Sequence, residues 1–132
     1  MKKIFDDITV GKLNLKNRFM RSATAEKLSD KDGIPPSKLK DMYKKLAEGD
    51  IGLIVTGHAY VDRQGKAHSK MSAIDRDSLI EIWHNIIEPI KQTDTKIMMQ
   101  INHGGGSVDT NITPNPLSPS GISLKKDIKP QK

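Results

Sequence analysis

The 132-residue sequence contains no cysteine. Disulfide bonds, thiolate catalysis and cysteine-based metal sites are therefore excluded. Aromatic residues are also scarce: there are two Phe, two Tyr and one Trp, and none of them alternates with a basic cluster. Modules that bind single-stranded nucleic acid by stacking bases on aromatic rings need that combination, so the sequence argues against this class.

Long apolar runs are missing as well. The opening MKKIFDDITV lacks the apolar stretch of a signal peptide, and no later segment is long and apolar enough to span a bilayer. We therefore expect a cytoplasmic protein without membrane contact. An apolar fraction of 35% and a charged fraction of 29% are ordinary for a folded chain, and the length suits one modest domain.

Because the net charge is +6, nucleic-acid binding is an alternative function, although the least favoured one. The tail GISLKKDIKPQK carries four lysines against one aspartate, so half of the excess charge lies in the last twelve residues. Solvated lysines explain such a tail better than a binding surface. A nucleic-acid module would show tight binding that weakens steeply with salt.

The N-terminal segment has the pattern of a β-hairpin followed by a strand. Apolar residues alternate with polar ones around the turn Gly11-Lys12, at Ile8, Val10, Leu13 and Leu15. A short strand then follows near 18–22 and ends in the small residues of RSAT.

Two segments have helical periodicity. The first is predicted over about 37–48, with Ser37 as cap and Gly49 at the C′ position. Its apolar stripe is Leu39, Met42, Tyr43 and Leu46. The second is predicted over about 78–91, capped by Asp77 or Ser78, with Pro89 kinking or shortening its last turn. Its stripe is Leu79, Ile82, Trp83, Ile86 and Ile90.

Buried strands follow both helices, near 52–57 in IGLIVTGHAYV and near 96–101 in KIMMQI. The element order is hairpin, β, α, β, α, β, which predicts an α/β fold with βαβ crossovers and a parallel sheet. After Gly104 the glycines and prolines of GGGSVDTNITPNPLSPSG indicate loop.

The carboxyl ends of parallel strands are where α/β folds bind ligands. The three ends here, RSATAE, VTGHAY and QINHGGG, pass from apolar residues into small or hydrogen-bonding ones. Small residues let a flat ligand lie against the backbone, and a carboxamide such as Gln100 can donate and accept at one ring edge. These ends therefore form a candidate binding site.

Each feature taken singly also has a purely structural interpretation. A glutamine at a strand end commonly caps backbone groups, a glycine-rich loop commonly just turns, and His58 and His103 are typical of structural histidines. The four histidines include no i, i+4 pair, so we expect no metal site. GGG is not a phosphate-binding fingerprint, because no helical pattern follows it.

Together, the segments ITVGKLNLKNRFMRSATAE, YKKLAEGDIGLIVTGHAYV and KIMMQINHGGG resemble the first three βα units of the Old Yellow Enzyme family, the FMN-dependent ene-reductases and NADH:flavin oxidoreductases. The resemblance runs from about Phe5 to NPLSPSGI. It implies that residues 1–132 form the N-terminal part of one FMN-binding TIM (β/α)8 barrel, namely the hairpin plus about three βα units, with 105–132 loop-rich or disordered.

The resemblance also implies cofactor contacts. It places the turn Ser22, Ala23, Thr24 and Ala25 against the flavin, with Gly57 and His58 at the second strand end. It assigns to Gln100 a bond to the pyrimidine edge. The reductant would be NADH or NADPH, and the substrate a small activated alkene such as an enone.

Two positions depart from the family pattern. Ala25 stands where many relatives carry cysteine or threonine, and Gly106 stands where several have arginine. Both changes leave flavin binding in place but bear on redox tuning. The substrate-binding His-His or His-Asn pair, the proton-donating tyrosine and the phosphate-binding glycines lie in later units of the family barrel, so we expect no catalytic residue within these three units.

The resemblance therefore leaves two hypotheses for the chain itself. It is either part of a flavin-dependent oxidoreductase, inactive alone, or a non-catalytic partial barrel that self-associates without flavin. In the isolated chain, two strand edges would be unpaired, and an inner sheet face with Phe19, Ile54 and Met98 would lack the opposite barrel wall. The chain could pair its edges with a second copy, exchange elements between copies or remain partly disordered after Gly104, and of these we expect self-association.

Overall fold

The computed structural model describes residues 3–122 and 130–132, which contain two α-helices and eight short strands. The helices are α1 (Ser37–Glu48) and α2 (Ile80–Lys91). The strands are β1 (Ile8–Val10), β2 (Leu13–Leu15), β3 (Met20–Arg21), β4 (Leu53–Val55), β5 (Ala59–Tyr60), β6 (Ser72–Ala73), β7 (Lys96–Met98) and β8 (Ile101–Asn102).

The main sheet has the order β3-β4-β7, and both pairings are parallel. In its register Ile54 lies between Arg21 and Ile97. The chain passes through α1 between β3 and β4 and through α2 before β7, so the predicted alternation of strands and helices is confirmed. Within the described residues this sheet is open and does not close into a barrel.

The N-terminal hairpin also forms as predicted. Strands β1 and β2 pair antiparallel through Thr9 and Asn14, and Gly11 has a positive φ of 60° in the turn between them. Asn17 then links the hairpin to the main sheet, since its side chain donates to the carbonyl of Asp50 (2.6 Å), just before β4. The hairpin therefore leads into the amino-terminal edge of the sheet, opposite the strand ends that matter for binding.

The helix bounds agree with the periodicity, but the predicted caps of α1 are wrong. Ser37 is the first helical residue, while Pro36 occupies the N-cap without a side-chain hydrogen bond. At the other end Gly49 has a φ of −78°, and the left-handed conformation falls on Asp50 (φ 61°). The carboxylate of Asp50, in this turn after α1, forms an ion pair with Lys16 (2.7 Å).

The start of α2 differs in a similar way. Asp77 and Ser78 belong to a 3-10 turn, and Leu79 occupies the N-cap position with no side-chain cap. Pro89 lies inside the helix, which continues to Lys91. The proline therefore does not shorten α2.

The predicted apolar stripes form the core between the helices and the sheet. Leu39, Tyr43 and Ala47 of α1 pack with the α2 residues Trp83, Ile86 and Ile90, against Ile54 of β4. Trp83 also donates its indole N–H to the carbonyl of Ala73 (2.9 Å), which satisfies its one polar atom. The two helices therefore cover one face of the main sheet.

The assignment of Phe19 and Ile54 to the inner face of the sheet is wrong. Ile54 is fully buried among the helices, and the ring of Phe19 lies against Phe5 (5.2 Å between centroids) in a depression that Leu46 of α1 also lines. Side chains alternate along a strand, so Val55 and its neighbour Met98 point to the other face. Met98 is 51% exposed, and its predicted position on the uncovered face is confirmed.

A second parallel sheet, with the order β6-β5-β8, continues beyond the carboxyl ends of the first. Sequence patterns did not reveal it, because each of its strands has only two residues. It forms because the chain breaks at Gly57-His58 and at Met99-Gln100 and then pairs again. Its core residue Tyr60 is fully buried and donates its hydroxyl to the carbonyl of Asp32 (3.1 Å).

The segment after Gly104 contains a 3-10 turn at Gly105–Ser107 and an isolated bridge between Leu117 and Gln131. Part of the segment predicted to be loop-rich, 123–129, lies outside the described residues. Neither helix of the described chain has the length and apolar character that a membrane crossing requires.

The two faces of the sheet predict different costs for truncating their side chains. Ile54→Ala should lower the free energy of unfolding by about 2–5 kcal/mol, because it leaves a cavity in the helix-covered core. Met98→Ala, on the uncovered face, should change it by no more than about 0.5 kcal/mol at protein concentrations low enough to keep the chain monomeric. Urea unfolding of both variants measures the difference. Equal losses at the two positions would contradict the assignment of the faces.

Candidate functional site

The carboxyl ends of β3, β4 and β7 lie side by side at one edge of the main sheet. Arg21 donates from Nη1 to the carbonyl of Val55 (3.0 Å), which joins the first end to the second. The N–H of Thr56 donates to the carbonyl of Met98 (2.9 Å), and the N–H of Gln100 donates to Oγ1 of Thr56 (3.2 Å). The structure therefore brings together the three predicted segments.

The turn Ser22–Ala25 presents small side chains at this edge. Ser22, Thr24 and Ala25 are exposed, and Ala23 is half-buried. The hydroxyl of Thr24 donates to the carbonyl of Ser22 (3.2 Å) and so stabilises the turn itself. Because these side chains are small and mostly exposed, a planar ligand could approach this backbone closely.

Gly57 is buried at the end of β4, where the chain has no space for a side chain. A Cβ atom at this position would lie 1.9 Å from Oε2 of Glu26 and 2.7 Å from the carbonyl oxygen of Thr24. The N–H of Gly57 donates to Oε1 of Glu26 (2.9 Å). Glycine is therefore required here by the close approach of the turn that follows β3.

Sequence reasoning missed Glu26, whose carboxylate is only 7% exposed. Oε1 accepts hydrogen bonds from the hydroxyl of Tyr43 (2.8 Å) and from Nη2 of Arg21 (3.0 Å), besides that from Gly57. Burial, and then the bond to Glu26, raise the pKa of Tyr43 well above its usual range, so its hydroxyl remains a donor. Glu26 stands in the polar run AEKLSDKDG, where nothing in the pattern distinguishes it from an exposed residue.

His58 is half-buried and forms hydrogen bonds through both ring nitrogens. The Nδ2 amide of Asn102 donates to Nδ1 of His58 (2.9 Å), because an amide nitrogen can only donate. The neutral His58 ring then carries its proton on Nε2 and donates it to Nε2 of His68 (3.0 Å). The polar atoms of this side chain are therefore already used, which leaves the backbone and the ring edge for the predicted ligand contact.

His68 and Asn102 are further residues that the sequence did not point to. His68 lies ten positions after His58, beyond a 3-10 turn at Arg63–Gly65, so no helical or strand spacing connects the two rings. Burial, together with the neighbouring His58, lowers the pKa of His68 and favours its neutral form. The pair holds the loop after β5 against the end of β4.

Gln100 combines a fixed backbone with a free side chain. Its N–H and C=O are bonded to Thr56 and to the N–H of Ala59 (2.9 Å), and its side chain is exposed. The carboxamide has no hydrogen-bond partner among residues 3–122 and 130–132. His103, in contrast, accepts a bond from the N–H of Gly105 (3.1 Å) and so has a local structural role.

This set of donors and acceptors fits a flat heteroaromatic ring with an amide-like edge. A free carboxamide can pair with adjacent donor and acceptor atoms, while Gly57 and the turn Ser22–Ala25 leave room for a ring against the backbone. The isoalloxazine ring of FMN has such an edge. Ala25 offers no side-chain hydrogen bond, and Gly106 lies near Pro130 rather than presenting a charged group.

Comparison with solved structures gives the same fold. The Old Yellow Enzyme from Pichia sp. AKU4542 superposes with a TM-score of 0.85 at 25% identity, over 94% of this chain and 33% of that one. The Old Yellow Enzyme homologue from Zymomonas mobilis superposes with a TM-score of 0.84 at 20% identity, over 99% of this chain and 40% of that one. Because those chains are TIM barrels, the open sheet described above corresponds to part of a barrel.

Sequence comparison identifies the family. The NADH oxidase of Thermoanaerobacter brockii is 30% identical over 122 residues, which is 90% of this chain but only 19% of the relative. The NADPH dehydrogenase of Bacillus subtilis is 32% identical over 106 residues, which is 31% of its length. The family model for NADH:flavin oxidoreductases and NADH oxidases matches residues 3–132. Fold and sequence agree, and the chain belongs to the NADH:flavin oxidoreductase / NADH oxidase family, as an N-terminal portion of the Old Yellow Enzyme type, in which FMN is the cofactor and NADH or NADPH the reductant.

Proposed function

We propose that this chain supplies the flavin-contacting edge of an FMN-dependent oxidoreductase that reduces activated alkenes. The observation that carries the proposal is the free carboxamide of Gln100 beside Gly57, at the edge where three parallel strands end. The chemistry that bound FMN supplies is transfer of hydride from NADH or NADPH to the β-carbon of an alkene conjugated to a carbonyl.

The residues of this chain would bind and orient the ring. Gln100 would donate to and accept from the pyrimidine edge, and its bonded backbone would keep the carboxamide in place. Gly57 and the turn Ser22–Ala25 would let the ring lie close to the backbone, which excludes water from that face. His58 would pack beside the ring, held by Asn102 and His68.

Ala25 and Gly106 would influence the redox behaviour of the flavin, because neither residue has a side chain that can donate a hydrogen bond or place a positive charge near the ring. We therefore assign to this edge the binding and orientation of the cofactor, and to other parts of a complete barrel the polarisation of the substrate carbonyl and the protonation step. The chain alone would then bind cofactor without turnover.

The role of Gln100 predicts a loss of FMN affinity when its side chain is removed. In Gln100→Ala the pyrimidine edge of the ring would lose this hydrogen-bond partner, which costs about 0.5–1.5 kcal/mol, or roughly two- to tenfold in Kd. Quenching of flavin fluorescence on titration measures Kd. Gln92→Ala is the matched control, because this exposed glutamine lies at the end of α2.

The control should bind FMN as the unmodified chain does. Unchanged affinity in Gln100→Ala would overturn the assignment. Colour gives the simplest check on the proposal as a whole: purified protein that is yellow and releases stoichiometric flavin on denaturation supports it, and colourless protein that takes up no FMN contradicts it.

We also propose that the isolated chain self-associates, and one specific observation favours this. The uncovered face of the main sheet presents Met20 (57% exposed) and Met98, and Ile101 of β8 is 62% exposed nearby in the chain. Beside α2 a cavity of about 440 Å³ is lined mainly by apolar side chains, including Trp83 and Met99, and also by Arg76, Asp77 and His84. A second copy could cover these surfaces in a symmetric dimer.

Light scattering coupled to size exclusion should show a dimer or larger species at micromolar concentration. Met98→Lys should shift the population toward monomer, since a charge placed on the paired face disfavours its burial. A sharp monomer with a cooperative melt in the unmodified chain would show that this proposal is wrong.

A further inference from the structure

Glu26 connects two segments that the proposed function places against the flavin. It follows the turn Ser22–Ala25 directly in the chain, and its carboxylate reaches across to the end of β4. The bond from the N–H of Gly57 (2.9 Å) therefore joins the first strand end to the second. A third element is also held, because Tyr43 of α1 donates to the same oxygen (2.8 Å).

The charge of the carboxylate is matched within this cluster. Arg21, only 16% exposed, donates from Nη2 to Oε1 of Glu26 (3.0 Å), and its Nη1 donates to the carbonyl of Val55. Its Nη2 also lies 3.3 Å from the carbonyl oxygen of Thr24. Arginine and glutamate thus both bond the ends of β3 and β4, and removal of either one would leave the other charged and poorly compensated in a buried place.

The shape of the backbone depends on the same residue. The carboxylate of Glu26 occupies the volume that a side chain at position 57 would take, since Oε2 lies 1.9 Å from where that Cβ would be. Without Glu26, Gly57 would lose the acceptor for its N–H and one of the two groups that crowd it, which leaves only the carbonyl oxygen of Thr24 close by. A glycine held by fewer contacts regains conformational freedom, of which it has more than any other residue.

We infer that Glu26 is a positioning residue, which fixes the distance between the turn Ser22–Ala25 and the Gly57-His58 end of β4 and thereby the depth at which a flat cofactor sits. Its relevance to FMN rests on the proposed function, whereas its effect on the two segments does not. Glu26 itself does not touch the ring. It acts through Gly57 and the turn.

The test compares Glu26→Ala and Glu26→Gln with the unmodified chain. In Glu26→Ala, amide hydrogen exchange in the ligand-free protein should accelerate at least tenfold at Gly57, whose N–H loses its acceptor, and the amide chemical shifts of 22–25 should change. The amides of α2 around Ile86 should keep their rates, because they belong to the core rather than to the cluster. Glu26→Gln should restore slow exchange in part, since its amide oxygen can still accept from Gly57 and Tyr43.

FMN titration and the visible flavin spectrum provide a second readout on the same variants. Glu26→Ala should weaken FMN binding at least tenfold and change the bound spectrum, with partial recovery in Glu26→Gln. Glu48→Gln is the matched control, because Glu48 pairs with Lys44 on the exposed side of α1. It should leave both exchange and affinity unchanged.

Several outcomes would overturn the inference. One is Gly57 exchange within twofold of the unmodified chain in Glu26→Ala; another is acceleration that is equal in α2, which would mean general destabilisation. If Glu26→Ala fails to fold, Glu26→Asp takes its place, because its carboxylate is one carbon too short to reach Gly57 and the bond would be lost. Gly57 exchange and a flavin spectrum that match the unmodified chain in Glu26→Asp would overturn the inference too. Absence of FMN binding by the unmodified chain, with the exchange pattern as expected, would contradict the proposed function while supporting the positioning role.

Discussion

The parallel pairing of β4 with both β3 and β7 is the constraint on which the rest of the structure depends. It places Leu53 between Met20 and Lys96, and so aligns the carboxyl ends of three strands at one edge. Chain segments 31 and 44 residues apart thereby become neighbours, as the bonds of Gly57 to Glu26 and of Gln100 to Thr56 illustrate. Without that pairing the candidate cofactor edge would not exist.

The same sheet has two very different faces. The helix-covered face is closed by a core that includes Tyr43, Ile54 and Trp83, which explains why a partial barrel can hold its strands in register. The opposite face presents Met20 and Met98 to solvent. In the related barrels the other strands surround that face, and this chain spans only 33–40% of the first two solved relatives. The buried core and the exposed methionines therefore lie on opposite faces of one sheet.

Much of the fold could be predicted from the sequence because periodicity reports burial. The stripe of Leu39 and Tyr43 located α1, and the apolar run ending at Val55 located β4. The facing of Phe19 and Ile54 could not be predicted, because in a strand rich in apolar residues both faces have the same composition. The prediction of the α1 cap was wrong because residue type alone does not fix where a helix begins. Ser37 has the chemistry of an N-cap, but Pro36, with its extended backbone, is the N-cap and Ser37 is already the first helical residue.

The candidate site could be predicted from the sequence only where a proposed ligand contact follows from residue type. Gln100 and Gly57 stand out in the sequence, as a carboxamide and a glycine that end apolar strands. Glu26 and His68 do not, since their roles arise from contacts with residues 31 and 10 positions away that no local pattern specifies. Such connecting residues become visible only when the strand ends are assembled.

An NMR titration of the ¹⁵N-labelled chain with FMN tests most directly whether the three strand ends form one flavin-binding edge. If they do, amide chemical shifts should move together in the turn Ser22–Ala25, at Gly57 and His58, and at Gln100, while those of the hairpin β1–β2 stay in place. Shifts confined to other surfaces, or none at saturating FMN, would contradict it.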